Sequence, residues 1–175
     1  MSKQTLYLRD DFARAWAGRD PFECVEELTG KIYREFANRK TLRFELNGQG
    51  FFVKIHRGIG LFETIKSYIQ GNQPVWGAER EWLAIKKLQA IGVATMTPVA
   101  FGERGCIPFL RTSFIITEEL TNTASLEEVG LLWAKQPPLF TLKKILIEKV
   151  ATISRQLHTH GVNHRDYYIC HFLLN

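Results

Sequence analysis

An α+β fold, with a β-rich front lobe followed by the start of a helical one, is what this sequence predicts. Three observations predict it. Between residues 31 and 57 the apolar pattern has the period of two that strands show. From Thr141 to Leu157 it shifts to the three-and-four spacing of a helix, with Leu146, Val150, Ile153 and Leu157 on one stripe. A polar turn, His164-Arg165-Asp166, then leads into the apolar run Tyr167-Tyr168-Ile169-Cys170-His171-Phe172-Leu173-Leu174.

The opening 30 residues read as a partly helical arm that covers core. Asp11–Trp16 forms one short helix ended by Gly18, and Asp20 caps a second with Pro21 just inside it. Phe22, Val25 and Leu28 repeat at spacing three before Gly30 stops that helix. Ile32, Arg34 and Phe36 then alternate with Tyr33 and Glu35, and Thr41–Leu46 alternates again. Asn47-Gly48-Gln49-Gly50 is a strong turn before Phe51-Phe52-Val53-Lys54-Ile55-His56. The expectation is a three-stranded antiparallel meander. Leu61, Phe62, Ile65, Tyr68 and Ile69 suit an amphipathic helix ended by Gly71-Asn72 and Pro74. Residues 78–91 suit another, with Trp82, Ile85 and Leu88 on one face and Gly92 as terminator.

Further on, Val93–Phe101 is expected as a strand, Gly102-Glu103-Arg104-Gly105 as a turn, and Phe114–Thr117 as a strand running into Glu118-Glu119-Leu120. Ser125 with Glu128 three residues later is a capping box at a helix start. Pro137-Pro138 breaks the chain before a long buried helix, which Gly161 ends with a left-handed cap.

Composition bounds the function. The chain of 175 residues is 45% apolar and 23% charged, the balance of an ordinary globular protein. A formal charge of +5 favours anionic partners without choosing among nucleotide, nucleic acid and acidic membrane surface. Three widely spaced cysteines without a CxxC pair read as reduced thiols. The N-terminus has no apolar run of a signal peptide, and no stretch reaches the roughly 18–20 apolar residues of a membrane span. The sequence stops within the apolar run ending Phe172-Leu173-Leu174-Asn175, and we expect the front part of a longer protein.

The chemistry lies in an ordered set of residues. Lys54 stands on a predicted strand, and Glu81 opens a helix whose apolar face must pack on that sheet. Glu81 is therefore its expected partner, with Glu79 second. His-Arg-Asp after a long helix is the kinase catalytic-loop pattern, in which the carboxylate aligns and deprotonates an attacking hydroxyl. Asp166 takes that role, with Arg165 and His164 bracing the loop. The backbone of Glu118 and Leu120 would form a hinge that meets an adenine edge. The position five after the catalytic Asp, commonly Asn, is His171, which is open to three readings: a metal ligand, a phosphate contact or packing. Because Mg²⁺ prefers oxygen, an imidazole is a poor donor to it. No GxGxxG or GxxxxGK[ST] occurs, and the basic turn Phe36–Thr41 is the one candidate for the phosphate loop.

Arg43-Phe44-Glu45, Phe52-Val53-Lys54-Ile55-His56-Arg57-Gly58, Gly77-Ala78-Glu79-Arg80-Glu81-Trp82, Ser113–Leu120 and His164–Leu174 together resemble the lipopolysaccharide core heptose(I) kinase family over nearly the whole chain. The resemblance implies a protein-kinase-like fold, with residues 1–120 as arm and small lobe ending in the hinge and 121–175 as the start of the large lobe. It implies ATP and Mg²⁺ as cofactors, with Lys54 on the nucleotide phosphates, Glu81 fixing the lysine as part of the nucleotide site, and Asp166 as base. It also implies a lipid A–core acceptor phosphorylated on its first heptose by an enzyme peripheral to the cytoplasmic face of the bacterial inner membrane. Any protein partner is unspecified, and nucleic acid is not expected. The family's chains continue through a strand with a metal-binding Asp in an Asp-Leu-His setting, which this sequence lacks. The same family shares the histidine at the position of His171.

Three rival readings stay open at this stage. His158, His160, His164, Asp166 and His171 suggest a metalloenzyme, but Gly161 breaks the helix between the one pair with ligand spacing. The basic, aromatic-interleaved meander suggests a nucleic-acid-binding module, though no matching motif accompanies it. The missing metal-binding half suggests a non-catalytic, kinase-like scaffold.

Overall fold

The computed structural model describes residues 3–36, 38–58, 77–107, 110–164 and 166–174. Its backbone forms two compact units. The first comprises the chain through Lys87 together with Thr95–Glu119, and the second comprises Leu88–Ala94 and the chain from Leu120 onward.

The first unit is a six-stranded antiparallel sheet. Its strands are β1 (Gln4–Leu8), β2 (Lys31–Phe36), β3 (Arg39–Leu46), β4 (Gln49–His56), β5 (Pro98–Arg104) and β6 (Thr112–Glu118), in spatial order β1-β5-β6-β4-β3-β2. The expected meander is present as β2-β3-β4. The β3–β4 hairpin turns on two residues, Asn47 at φ 53° and Gly48 at φ 78°. Two successive left-handed residues are what a type I′ turn needs, and Asn-Gly meets that need with least strain. β4 is a central strand because Phe51, Val53 and Ile55 are almost wholly buried while Phe52, Lys54 and His56 alternate with them.

The buried face of β4 meets the helical arm. Helices α1 (Asp10–Ala15) and α2 (Pro21–Glu27) bring Phe12, Trp16, Phe22, Cys24 and Val25 onto Leu42, Phe44, Phe51, Val53, Ile55, Phe114 and Ile116. Phe12 is fully buried and meets Trp16 and Phe51 edge-on, with ring centroids 5.2 and 5.1 Å away. Such T-shaped contacts set the positive ring edge against a negative face. Asp20 caps α2 by accepting from the Phe22 amide, with Pro21 at the first helical position.

On the opposite sheet face lies α3 (Glu79–Ala90). Ala78 and Ile85, with the partly buried Trp82, pack on Phe101 and Ile115. The start of α3 is pinned to the sheet: the Ala78 amide donates to the buried Ser113 hydroxyl at 2.9 Å. Gly77 has room for no side chain there, since an added Cβ would lie 2.5 Å from the same oxygen.

In the second unit, β7 (Ala124–Ser125) pairs with β8 (Leu173–Leu174). Helix α4 (Leu126–Trp133) begins at Ser125 with both halves of the capping box formed. Helix α5 (Phe140–Thr159) ends in a Schellman motif: the Val162 amide reaches the Leu157 carbonyl at 2.8 Å, and the Gly161 amide reaches that of His158 at 3.0 Å. Gly161 sits at φ 65°, the left-handed cap the sequence implies.

Several expectations need correction. β1 was not foreseen: the first eight residues include an edge strand that pairs with β5. β5 begins only at Pro98 and runs through Gly102, Glu103 and Arg104, where a turn was expected. Pairing on both sides explains this, because Gly102 lies opposite Leu6 and Phe114, and the Phe114 ring occupies the place of a Cβ. α2 stops at Glu27, short of Gly30, because Leu28 turns to ψ 130°. The stripe of α5 is not buried; Leu157 alone is, and Leu146, Val150 and Ile153 are half covered. After the polar turn comes a 3₁₀ turn, Ile169–His171, before the two residues of β8. The helix expected over 61–69 lies outside the described residues, as do Arg165 and Ala37 of the basic turn.

Phe12 closes the arm onto the sheet, so truncation leaves a cavity that the three flanking rings of Trp16, Phe44 and Phe51 cannot collapse into. Phe12→Ala is expected to lower stability by about 3–5 kcal/mol, read from the shift of a urea unfolding midpoint.

Candidate active site

The pleat of β4 that buries Phe51, Val53 and Ile55 turns Lys54 toward α3. There its ammonium meets the Glu81 carboxylate at 2.6 Å. Glu81, not Glu79, makes this contact. With side chains 40% and 28% exposed, the pair is half solvated, and such pairs contribute under about 1 kcal/mol. Its worth is geometric: a helix carboxylate holds a flexible four-carbon cation in one direction.

The end of β6 is clamped from two sides. Arg9 donates to Glu118 at 2.5 Å and to both oxygens of Asp11, at 2.9 and 2.8 Å. Arg43 forms a fork on Glu119, with its closest nitrogen at 2.8 Å, and also holds Glu45. Gly50 makes this possible, since a Cβ there would lie 1.9 Å from a Glu119 oxygen. The backbone is engaged as well: the Glu118 amide donates to Thr97 and that of Glu119 to Gly50. The carboxylates of Glu118 and Glu119 are thus structural anchors, and any adenine recognition here falls to backbone groups. Leu120 follows at once with an exposed side chain.

In the second unit the polar turn is tied down from several directions. The Asp166 carbonyl accepts from the Tyr168 amide at 3.0 Å and from His171 Nδ1 at 2.5 Å. A carbonyl can only accept, so Nδ1 carries the hydrogen and the Nε2 of a neutral ring keeps its lone pair. Tyr167 bonds Ser154 of α5 at 2.7 Å and meets Phe172 edge-on. His164 lies 5.8 Å from the His171 ring. Asp166 itself is exposed, and no described side chain pairs with its carboxylate. Among the described residues no three His, Cys, Asp or Glu side chains gather as a metal site. His171 offers one nitrogen, a poor match for Mg²⁺.

The arginine clamps were missed in the sequence because their partners stand 109 and 76 residues away. A depression of about 390 Å³ elsewhere is lined by Phe22, Glu23, Glu26, Glu27, Arg104 and Thr112, and its three carboxylates make it hostile to phosphate.

An antiparallel sheet whose strand lysine is held by a helix glutamate, with a histidine-bearing acidic turn after a long helix, defines a protein-kinase-like chain. Comparison with known proteins gives the particular family. Residues 23–175 match the family "Lipopolysaccharide kinase (Kdo/WaaP) family", and the chain belongs to it. It is 54% identical over 170 residues to the lipopolysaccharide core heptose(I) kinase WaaP of Pseudomonas aeruginosa, covering 97% of this chain and 63% of that protein. To the WaaP of Escherichia coli K12 it is 50% identical over 168 residues, covering 96% and 63%. A solved structure described as WaaP in complex with acyl carrier protein aligns with a TM-score of 0.83 at 50% identity, over 97% of this chain and 63% of that one. The chain therefore spans somewhat under two thirds of the length of these relatives.

The Arg9 clamp predicts an acid response. Hydrogen bonding from Arg9 is the main cause holding the carboxyls of Asp11 and Glu118 below their ordinary values. Depressed carboxylates stabilise the fold fully above their unfolded pKa, near 4, and lose that contribution as the pH falls through the folded values. Unfolding free energy is expected to fall below about pH 4, and Arg9→Met is expected to flatten that fall in urea titrations across pH 3–6.

Proposed function

We propose that the protein transfers the γ-phosphoryl group of ATP to a hydroxyl of the first heptose of the lipopolysaccharide inner core. The observation that carries this reading is the Lys54–Glu81 pair, in a chain 50–54% identical to named heptose(I) kinases. Lys54, aimed by Glu81, neutralises nucleotide phosphates. The backbone at Glu118 and Leu120 meets the adenine edge, with the strand end fixed by Arg9 and Arg43. Residues 1–120 act as the small lobe and 121–175 as the start of the large one.

Asp166 orients the acceptor hydroxyl and takes its proton. Its exposed carboxylate has no described cation partner, which leaves it open to an incoming hydroxyl. At an ordinary carboxylate basicity, alignment is its larger contribution. Mg²⁺, when bound, would shield the negative charge on the transferring phosphates. With Nδ1 held by the Asp166 carbonyl, the Nε2 lone pair of a neutral His171 accepts from a metal-bound water, whereas a phosphate contact requires the protonated ring.

Among the described residues no helix is long and apolar enough to cross a membrane. Attachment to the cytoplasmic face of the inner membrane would then be peripheral, assisted by the formal charge of +5. An acyl carrier protein, the partner in the aligned structure, is the protein partner we assign.

Transfer of labelled phosphate from ATP to purified core lipid by the full-length protein tests this reading. Asp166→Ala is expected to reduce kcat by about 10²–10⁴-fold, and Lys54→Met to raise the KM for ATP as well. Equal transfer by Asp166→Ala would remove it as the base, and absence of transfer to core lipid by the wild-type protein would overturn the acceptor.

A further inference from the structure

Beside the Lys54–Glu81 pair stands a second group of charged side chains that the mechanism above does not use. Opposed residues of an antiparallel pair share a sheet face. The register sets Arg39 opposite His56 and Thr41 opposite Lys54, so all four lie on one face of β3 and β4. β2 adds Arg34, opposite Thr41, to the same face, and the Arg34 guanidinium lies 4.9 Å from the Phe36 ring. Glu35, the acidic residue of β2, stands opposite Lys40 and so on the other face. Three cations, Lys54, Arg39 and Arg34, therefore share this face, and Glu81 is already committed to Lys54.

Two members of this group have no partner among the described residues. Arg39 is half buried, and among the described residues its guanidinium makes no ion pair or side-chain hydrogen bond. Burial pushes its pKa down, and Arg34 adds to that effect. The Nδ1 of His56 is sealed from solvent and bonded to nothing described. Burial, reinforced by Arg39, pushes the His56 pKa down to about 4, although Glu81 acts the other way, so at neutral pH the ring adds no charge. Its neighbours from each packed element are Arg39 on β3, Lys54 on its own strand, Glu81 on α3 and the Ser113 hydroxyl position on β6. A half-buried guanidinium gives up part of its hydration, and a ligand that supplies an anion offsets that loss. The planar fork of arginine matches phosphate oxygens in particular.

We infer that Arg39, with Arg34 and the His56 imidazole, forms an oxyanion subsite next to Lys54 that takes a phosphoryl group. The source of that group is either the distal phosphate of ATP or a phosphate carried by the acceptor. The subsite replaces, with side chains, the glycine-rich backbone cradle that the sequence lacks. It rests on the kinase reading for the choice of source and not for its chemistry.

Calorimetric titration of the full-length protein tests this with five probes: inorganic tripolyphosphate, the β,γ-imido analogue of ATP, adenosine, and core lipid with and without its phosphates. Arg39→Gln is expected to weaken tripolyphosphate and the ATP analogue at least tenfold while adenosine binding stays within twofold. Arg39→Lys keeps the charge and loses the fork; it is expected to recover part of the loss, and it serves if the glutamine variant does not fold. Loss confined to phosphorylated lipid would assign the subsite to the acceptor. Unchanged affinity for tripolyphosphate, analogue and phosphorylated lipid in both variants would overturn it. Arg39-dependent tripolyphosphate binding without any transfer to core lipid would leave the subsite standing and remove the kinase reading. Normal transfer by a protein indifferent to Arg39 would do the reverse.

Discussion

Everything in the first unit depends on the pleat of β4. A strand places successive side chains on opposite faces, so one strand can close a core and present charge within the same few residues. Phe51, Val53 and Ile55 do the first, against Phe12 and the arm. Lys54 and His56 do the second, toward α3 and β3. A slip of one residue in the pairing with β3 or β6 would send Lys54 into an aromatic core. The Asn47-Gly48 turn and the buried side of the strand forbid that slip together. The arm is thus part of the site's construction even though none of its helices carries a proposed catalytic group.

The same economy holds at the end of β6. Two glutamates in succession would seem to advertise two charged contacts, yet each is spoken for by an arginine from a distant strand or loop. The arginines fix a strand end whose amides are already satisfied by Thr97 and Gly50. Side chains and backbone together supply rigidity here. The polar turn of the second unit is built alike, with the Asp166 carbonyl holding His171 and Tyr168 while its carboxylate faces outward.

What the sequence made legible follows from how local each signal is. The β2-β3-β4 meander, the α4 capping box and the Gly161 cap each depend on residues a few positions apart, and each is found in the structure. The Lys54–Glu81 contact was readable for a different reason: a helix with one apolar face can pack on a sheet in only one rotation, which singles out Glu81 over Glu79. By contrast β1 was hidden because Gln4–Leu8 is short and carries no turn signal of its own; only β5 makes it a strand. The extent of β5 was misread at Gly102, where a glycine that looks like a turn accommodates the Phe114 ring. Arg9, Arg43 and the sealed nitrogen of His56 have no signature in local spacing, since burial and partners across the sheet define them.

β1 also sets an order of events. Gln4 and its neighbours are made well before the strand they join, which reaches from Pro98 to Arg104, and the contact between Arg104 and Gln4 spans 100 residues. During synthesis the leading segment has nowhere to dock until that later strand has emerged and paired with β6. Closing so long a loop is slow compared with forming a hairpin. The arm that seals the Phe12 core hangs directly from β1, so the aromatic face of β4 lacks that cover until β5 has been made. β1 is, in assembly, among the last strands of the sheet to find its place.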